Sequence, residues 1–165
     1  MEKRTQVHLL LGSNIGDRIA NLARARTLIA ERVGPLTAHS ALYETEPWGV
    51  REQPLFLNQA VAAMTLLPPV ELLRTLKAIE EEMGRMKTER WQARLIDIDI
   101  LLYGNMVCAE NGLQIPHPGL TERNFALIPL MEIAGERVHP ILGKTIEELY
   151  LACRDPLEVW LFEEE

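Results

Sequence analysis

Short apolar runs alternate with amphipathic helical periods in this chain, in an order that admits few folds. Residues 7–11 form an apolar run closed by Gly12, too short for a helix and suited to a buried strand. Residues 17–33 predict a helix, with Ile15, Ile19, Leu22, Ile29 and Val33 on one face. Gly34-Pro35 ends that helix, and Ser13, Asn14 or Asp17 caps its start. Residues 36–43 predict a second strand. Residues 44–54, with two prolines, a glycine and mixed charge, predict a loop. Residues 55–66 predict a long third strand. Pro68-Pro69 opens a helix reaching residue 83 whose Leu72, Leu76, Ile79 and Met83 share a stripe, and Gly84 ends it. Over 96–103 the pattern alternates: Ile96, Ile98, Ile100 and Leu102 on one face, Asp97 and Asp99 on the other. Shorter helices follow near 125–134 and 145–153. The order β-α-β-β-α-β with a C-terminal extension predicts an α+β, ferredoxin-like sandwich. Its helices lie on one face of a mainly antiparallel sheet, and its other face is free for ligands.

A chain of 165 residues, 47% hydrophobic and 25% charged, suits one domain spanning 1–165. The net charge of −7 argues against a general nucleic-acid binder. It is unevenly spread. Arg85, Lys87, Arg90 and Arg94 stand against the lone Glu89 in one short stretch, a basic island suited to a local anionic ligand. Cys108 and Cys153 make neither a disulfide framework nor a zinc site. The apolar run at 7–11 is too short for a signal peptide, and the longest uncharged stretch, 53–70, is broken by prolines. A cytoplasmic protein is expected.

Asp97-Ile98-Asp99 carries the strongest chemical signal. Two residues apart on a strand, the carboxylates share a face with Cα atoms about 6.6 Å apart, and they repel unless a cation lies between them. Magnesium takes such carboxylates together with phosphate oxygens, and a two-metal site is feasible at this spacing. A lone D-x-D is more often a solvated strand face. The basic island ending three residues upstream decides for the metal, because guanidinium groups beside magnesium carboxylates are the working parts of phosphoryl transfer. Phe56 and Asn58, i and i+2 on the third strand, offer a ring to stack on and an amide that donates and accepts, which suits a heteroaromatic ligand. Taken singly, each is more commonly core or edge. His117, fixed between Pro116 and Pro118 with Arg123 six residues on, suits a phosphate contact. Gly12-Ser13-Asn14-Ile15-Gly16 matches no phosphate-loop pattern and reads as a strand-to-helix turn.

Taken in order, Gly12-Ser13-Asn14-Ile15-Gly16-Asp17, Tyr43-Glu44-Thr45-Glu46-Pro47, Phe56-Leu57-Asn58, Gly84-Arg85, Arg90-Trp91, Arg94-Leu95-Ile96-Asp97-Ile98-Asp99-Ile100 and Ile115-Pro116-His117-Pro118 resemble the 6-hydroxymethyl-7,8-dihydropterin pyrophosphokinases of folate biosynthesis. The resemblance runs from about residue 7 to residue 140, and its R-W-x-x-R-x-x-D-x-D string is specific. It implies transfer of the β,γ-diphosphate of ATP to the pterin hydroxymethyl group, releasing AMP. By position, Asp97 and Asp99 hold two Mg²⁺ ions. Thr45, Pro47 and Trp48 line the pterin pocket, mainly through backbone groups. Asn58 hydrogen-bonds the pterin, and Phe56 and Phe125 sandwich it. Glu80, Arg85, Trp91, Arg94, Ile100, His117 and Arg123 serve ATP and the catalytic loops, with Arg85 and Arg94 acting in catalysis. The implied partners are these small molecules, and a monomer is expected.

The chain departs from the family pattern at Gln92-Ala93, where Gly-Pro is usual, and at Lys87, where arginine is common. Glu46 stands where proline is frequent, and Gly112 and Gln114 replace residues that touch ATP in relatives. None of these removes a metal ligand. Two other readings share the element order. A ferredoxin-like RNA-binding or regulatory module needs a basic aromatic face, which the strand aspartates oppose. A metal-dependent nucleotidyltransferase shares the aspartate pair but releases free pyrophosphate. The loops at 44–54 and 84–94, rich in charge and turn formers, are expected to move and to close on substrates.

Overall fold

The computed structural model describes residues 3–46, 54–84, 95–110 and 112–163. Its elements follow the predicted order. β1 (Thr5–Ser13) leads through a turn to α1 (Arg18–Arg32), where Asp17 is the cap: its carboxylate accepts from the Ala20 N–H at 3.1 Å. β4 (Phe56–Thr65), α2 (Pro69–Glu82) and β5 (Asp97–Tyr103) lie within a residue or two of their predicted bounds. The predicted second strand is broken into β2 (Leu36–His39) and β3 (Tyr43–Thr45). Ser40 makes the break: its N–H bonds the Ala60 carbonyl, and its hydroxyl both accepts from the Ala60 N–H and donates to the Ala41 carbonyl. A side chain that bonds local backbone in this way competes with the ladder.

The sheet runs β5-β1-β4-β3, with β2 also on β4 and every pair antiparallel. This is the ferredoxin-like α+β order. Two additions escaped the pattern. A hairpin of β6 (Cys108–Glu110) and β7 (Leu113–Ile115) follows β5, and β8 (Val159–Leu161) extends the sheet beside β3. Three-residue strands carry too few residues for a period to show.

Two apolar clusters flank the sheet. The larger joins Val7, Leu9 and Leu11 of β1 and Leu57, Val61 and Ala63 of β4 to Leu22 and Ile29 of α1 and Leu72, Leu76 and Ile79 of α2. The second joins Leu10, Leu101 and Leu102 to α3 (Asn124–Ala134) and α4 (Ile146–Ala152). The expectation of a wholly free second face is thus corrected: α3 and α4 pack on part of it. Leu102 is corrected too. The β1–β5 register slips between His8 and Leu9, Leu101 is the extra residue, and Leu102 turns away from Ile96, Ile98 and Ile100 to the second cluster. Tyr103 takes the inner position instead, its hydroxyl donating to the Leu67 carbonyl at 2.6 Å. Gly34 ends α1 with φ +154°, and a Cβ there would lie 1.8 Å from the Met64 carbonyl oxygen, so glycine is obligatory. Cys108 and Cys153 are free thiols, and no described helix is long and apolar enough to cross a membrane.

His8 on β1 is 2% exposed, and its Nδ1 has no hydrogen-bond partner among the described residues. Burial first, then the charge of Arg137, push its pKa from 6.5 down to about 4. The unfolded chain takes up this proton near pH 6.5 and the folded chain only near 4. Stability is therefore full above pH 6.5 and falls, by about 3 kcal/mol in all, as the pH drops through that window. Urea unfolding between pH 7 and 4 should show the decline, and His8→Leu should flatten it; an unchanged slope in the variant would assign the decline elsewhere.

Candidate active site

The ladder around β1 aligns the chemistry. Gly12 pairs with Asn58 on one side and with Asp97 on the other, so the three stand in one row across the sheet and share a face. Two residues along, Leu10 pairs with Asp99, which puts both aspartates on that face. Across two strand spacings, Asn58 and Asp97 lie about 10 Å apart.

At one end of the row Asn58 is 3% exposed, and its Nδ2 donates to the Thr45 hydroxyl at 3.0 Å. That bond fixes the amide, because Thr45 on β3 is itself buried beside it. The half-buried Phe56 lies two residues before Asn58, and its Cδ1 borders the space above Gly12. Phe125 sits in the first turn of α3, packed on the second cluster with the Arg123 guanidinium 5.8 Å from its ring centre. Asp155 supplies the hydrogen bond at that helix end, accepting from the Asn124 N–H at 2.9 Å, a role its sequence position did not signal. The turn before α1 ties down both ends of the segment after β3. Asn14 Nδ2 donates to the Pro54 carbonyl, while Arg18 reaches the Glu44 carboxylate at 2.7 Å and the Leu55 carbonyl at 3.0 Å.

At the other end of the row, the outer edge of β5 borders a cavity of about 340 Å³. Asp97, Asp99, Ile100, Glu80 and His117 line it, and so do Gly112 and Gln114. Leu73 and Lys77 of α2 line it as well, and the sequence reading missed both. The signal was present for Lys77, which stands three residues before Glu80 and so on the same helical face. Glu80 is 4% exposed, and its Oε2 accepts from the Ile98 N–H at 2.9 Å. A buried carboxylate on α2 thereby grips the backbone between the two aspartates. His117 Nδ1 accepts from the Gly119 N–H at 3.0 Å. Burial lowers the His117 pKa most, the Arg123 charge adds to this, and the Asp99 carboxylate opposes it. The neutral ring carries its proton on Nε2, since Nδ1 is an acceptor.

The structure thus brings Asp97, Asp99, Glu80, Ile100 and His117 to one cavity. It sets Thr45, Phe56 and Asn58 together at the other end of the row. Pro47, Trp48, Arg85, Trp91 and Arg94 lie outside the described residues, as do Lys87, Gln92 and Ala93 and the expected closure of the two loops. Among the described residues no cluster of three or more His, Cys, Asp or Glu side chains is placed to hold a metal. The carboxylate pair could hold a hard divalent cation that takes its remaining ligands from phosphate oxygens and water.

Comparison with known proteins shows the family and the fold. A relative in Methylorubrum extorquens named 2-amino-4-hydroxy-6-hydroxymethyldihydropteridine pyrophosphokinase is 45% identical over 153 residues, covering 92% of this chain and 95% of the relative. One of the same name in Aquifex aeolicus is 42% identical over 142 residues, covering 86% and 88%. The mitochondrial folate synthesis bifunctional protein of Arabidopsis thaliana is 47% identical over 133 residues. This chain spans 81% of itself in that match but only 24% of the plant protein. In fold, the chain matches crystallised Plasmodium falciparum HPPK-DHPS with pteroate at TM-score 0.75 and 20% identity, covering 92% of this chain and 43% of that one. The family model described as 7,8-dihydro-6-hydroxymethylpterin-pyrophosphokinase (HPPK) matches residues 8–135, so the chain belongs to that family, whose reaction is pyrophosphoryl transfer to hydroxymethyldihydropterin in folate biosynthesis.

Proposed function

We propose that this chain, acting as one domain, transfers the β,γ-diphosphate of ATP to the hydroxymethyl oxygen of 6-hydroxymethyl-7,8-dihydropterin and releases AMP, with the row Asn58–Gly12–Asp97 as the axis of the site. That row is the observation that carries the reading: an amide able to donate and accept and a carboxylate suited to a metal face one side of the sheet about two strand spacings apart. Asn58, held by Thr45, reads the pterin edge. Phe56 and Phe125 sandwich the ring, and Pro47 and Trp48 complete its pocket. Asp97 and Asp99 hold two Mg²⁺ ions. When bound, magnesium neutralises phosphate charge and orients the transferred group.

The nucleotide occupies the cavity at the edge of β5, against Ile100, His117 and Glu80. His117 Nε2–H donates to a phosphate oxygen without adding charge, and Arg123 adds a cation beside it. Arg85, Trp91 and Arg94 close over the nucleotide, the two arginines countering charge on the transferred group. Glu80 acts through the backbone of β5: by gripping the Ile98 N–H it fixes the orientation of the flanking carboxylates. Two free cysteines suit a reducing, cytoplasmic setting.

Incubation with ATP, Mg²⁺ and the hydroxymethylpterin should yield AMP and the pterin diphosphate. Release of free pyrophosphate would instead support the nucleotidyltransferase reading. Asp97→Ala and Asp99→Ala should each lower turnover at least about 100-fold with the fold intact, since each removes a ligand charge from a half-buried position. Full Mg²⁺-dependent turnover in both would remove the metal assignment. Asn58→Ala should weaken pterin binding about 10-fold or more, the loss of one or two buried hydrogen bonds, and leave ATP affinity unchanged by calorimetry. Glu80→Ala should cost about 1–3 kcal/mol of stability through the orphaned Ile98 N–H. Glu80→Gln, which keeps an acceptor oxygen, should recover most of that in chemical denaturation.

A further inference from the structure

A second cavity lies near the start of β1. It measures about 630 Å³, within the roughly 300–1,000 Å³ of small-molecule sites, and shares no lining residue with the cavity beside β5. His8 borders it, about 13 Å along β1 from Gly12. So do Glu132 of α3, Glu136 and Arg137 of the turn after it, and Glu147 of α4. Its inner part is polar and unsatisfied. His8 is 2% exposed with Nδ1 unpartnered, and the half-buried Arg137 keeps its Nε out of solvent, also with no partner among the described residues. Buried polar atoms are costly unless something bonds them. Its outer part is acidic. The Glu132 carboxylate is taken up by the Ala41 N–H and the Tyr43 hydroxyl, at 2.9 and 2.6 Å. Glu136 and Glu147 are exposed, and among the described residues neither forms an ion pair with Arg137.

We propose that this cavity binds a small zwitterion of the amino-acid class, its carboxylate held inside by Arg137 and His8 and its ammonium group outside between Glu136 and Glu147. Arginine donates and never accepts, so the partner missing from Nε is an acceptor, and a carboxylate matches the guanidinium fork. His8 donates to the same group from its Nδ1–H tautomer. It does so as a neutral ring at pH 7, because burial and the Arg137 charge hold its pKa at about 4. That influence also places the two side chains close together. A simple anion would satisfy the inner donors but meet repulsion from the exposed carboxylates at the mouth. A simple cation would suit the mouth and leave both inner atoms orphaned. A molecule with both charges, acid end inward, satisfies each level.

If water alone satisfied His8 and Arg137, added solutes would leave both unmoved. The test is titration of the full ¹⁵N-labelled chain with β-alanine, 4-aminobutyrate and glycylglycine, read by calorimetry and by the ring-nitrogen signals of His8. Propionate and propylamine are the single-charge controls. At least one zwitterion should bind with a Kd of about 1 mM or tighter and shift the His8 signals, with both controls about 10-fold weaker or silent. Arg137→Met should weaken that zwitterion about 10-fold or more, the loss of a charge-assisted bond. Glu136→Gln with Glu147→Gln should erase its advantage over propionate. Saturating ATP should not displace it. Should Arg137→Met fail to fold, the exposed glutamine pair and the native His8 signals carry the same comparison. Absence of binding by all three zwitterions, propionate binding as tightly as they do, binding that leaves His8 unmoved, or displacement by ATP would each overturn the proposal.

Discussion

The whole arrangement hangs on the double pairing of β1. This strand is the only described one with β4 along its full length on one side and β5 on the other. Its odd positions Val7, Leu9 and Leu11 are sealed under α1 and α2, so its orientation is not free to change. Once those three residues face inward, Gly12 must face the other way. Its two ladder partners, Asn58 and Asp97, must do the same, and the shared face of that amide and that carboxylate follows. The site is a consequence of core packing one strand register away.

Polar contacts then sharpen what packing sets. The Glu80 carboxylate is buried and bonded to the backbone of β5, and Thr45 holds the Asn58 amide from a neighbouring strand. Both bonds lie within the protein interior, where a hydrogen bond is stronger and its loss costs more than at the surface. Asn14 and Arg18 fasten the chain at Glu44, Pro54 and Leu55, on either side of the segment that carries Pro47 and Trp48. The candidate side chains Asn58, Asp97 and Asp99 are thus mounted on strands, and the chain at Glu44, Pro54 and Leu55 is tied to a helix start.

Much of this was legible in the sequence because the signals were long. Seventeen residues of helical period at 17–33, the long strand at 55–66 and the D-x-D alternation each fix a face, and Asp97 with Asp99 came out on one side as their spacing requires. What escaped were features that live in pairs of distant residues. The break at Ser40 depends on Ala60, twenty positions on, and the capping of α3 depends on Asp155. The cover that α3 and α4 lay over Leu10 depends on tertiary packing alone. Lys77 was hidden for another reason: on an amphipathic helix a lysine reads as solvated surface, and only the course of 112–118 beside β5 turns its position into a cavity wall. Gly12 read as the end of an apolar run, and its ladder partners gave it a different meaning.

The extra residue at Leu101 has an effect beyond the packing of Leu102. It divides β5 into two independent frames. Before it, alternation is locked to Asp97 and Asp99; after it, Leu101 and Leu102 belong to another core, and Tyr103 returns to the first. Variation in the latter half can exchange apolar side chains without disturbing the carboxylates, because the slip absorbs the mismatch. Insertion or deletion of a single residue between Asp97 and Asp99 has no such buffer: it would put the two carboxylates on opposite faces and turn one of them towards the apolar core. Across diverging relatives this strand should therefore vary in composition while holding its length.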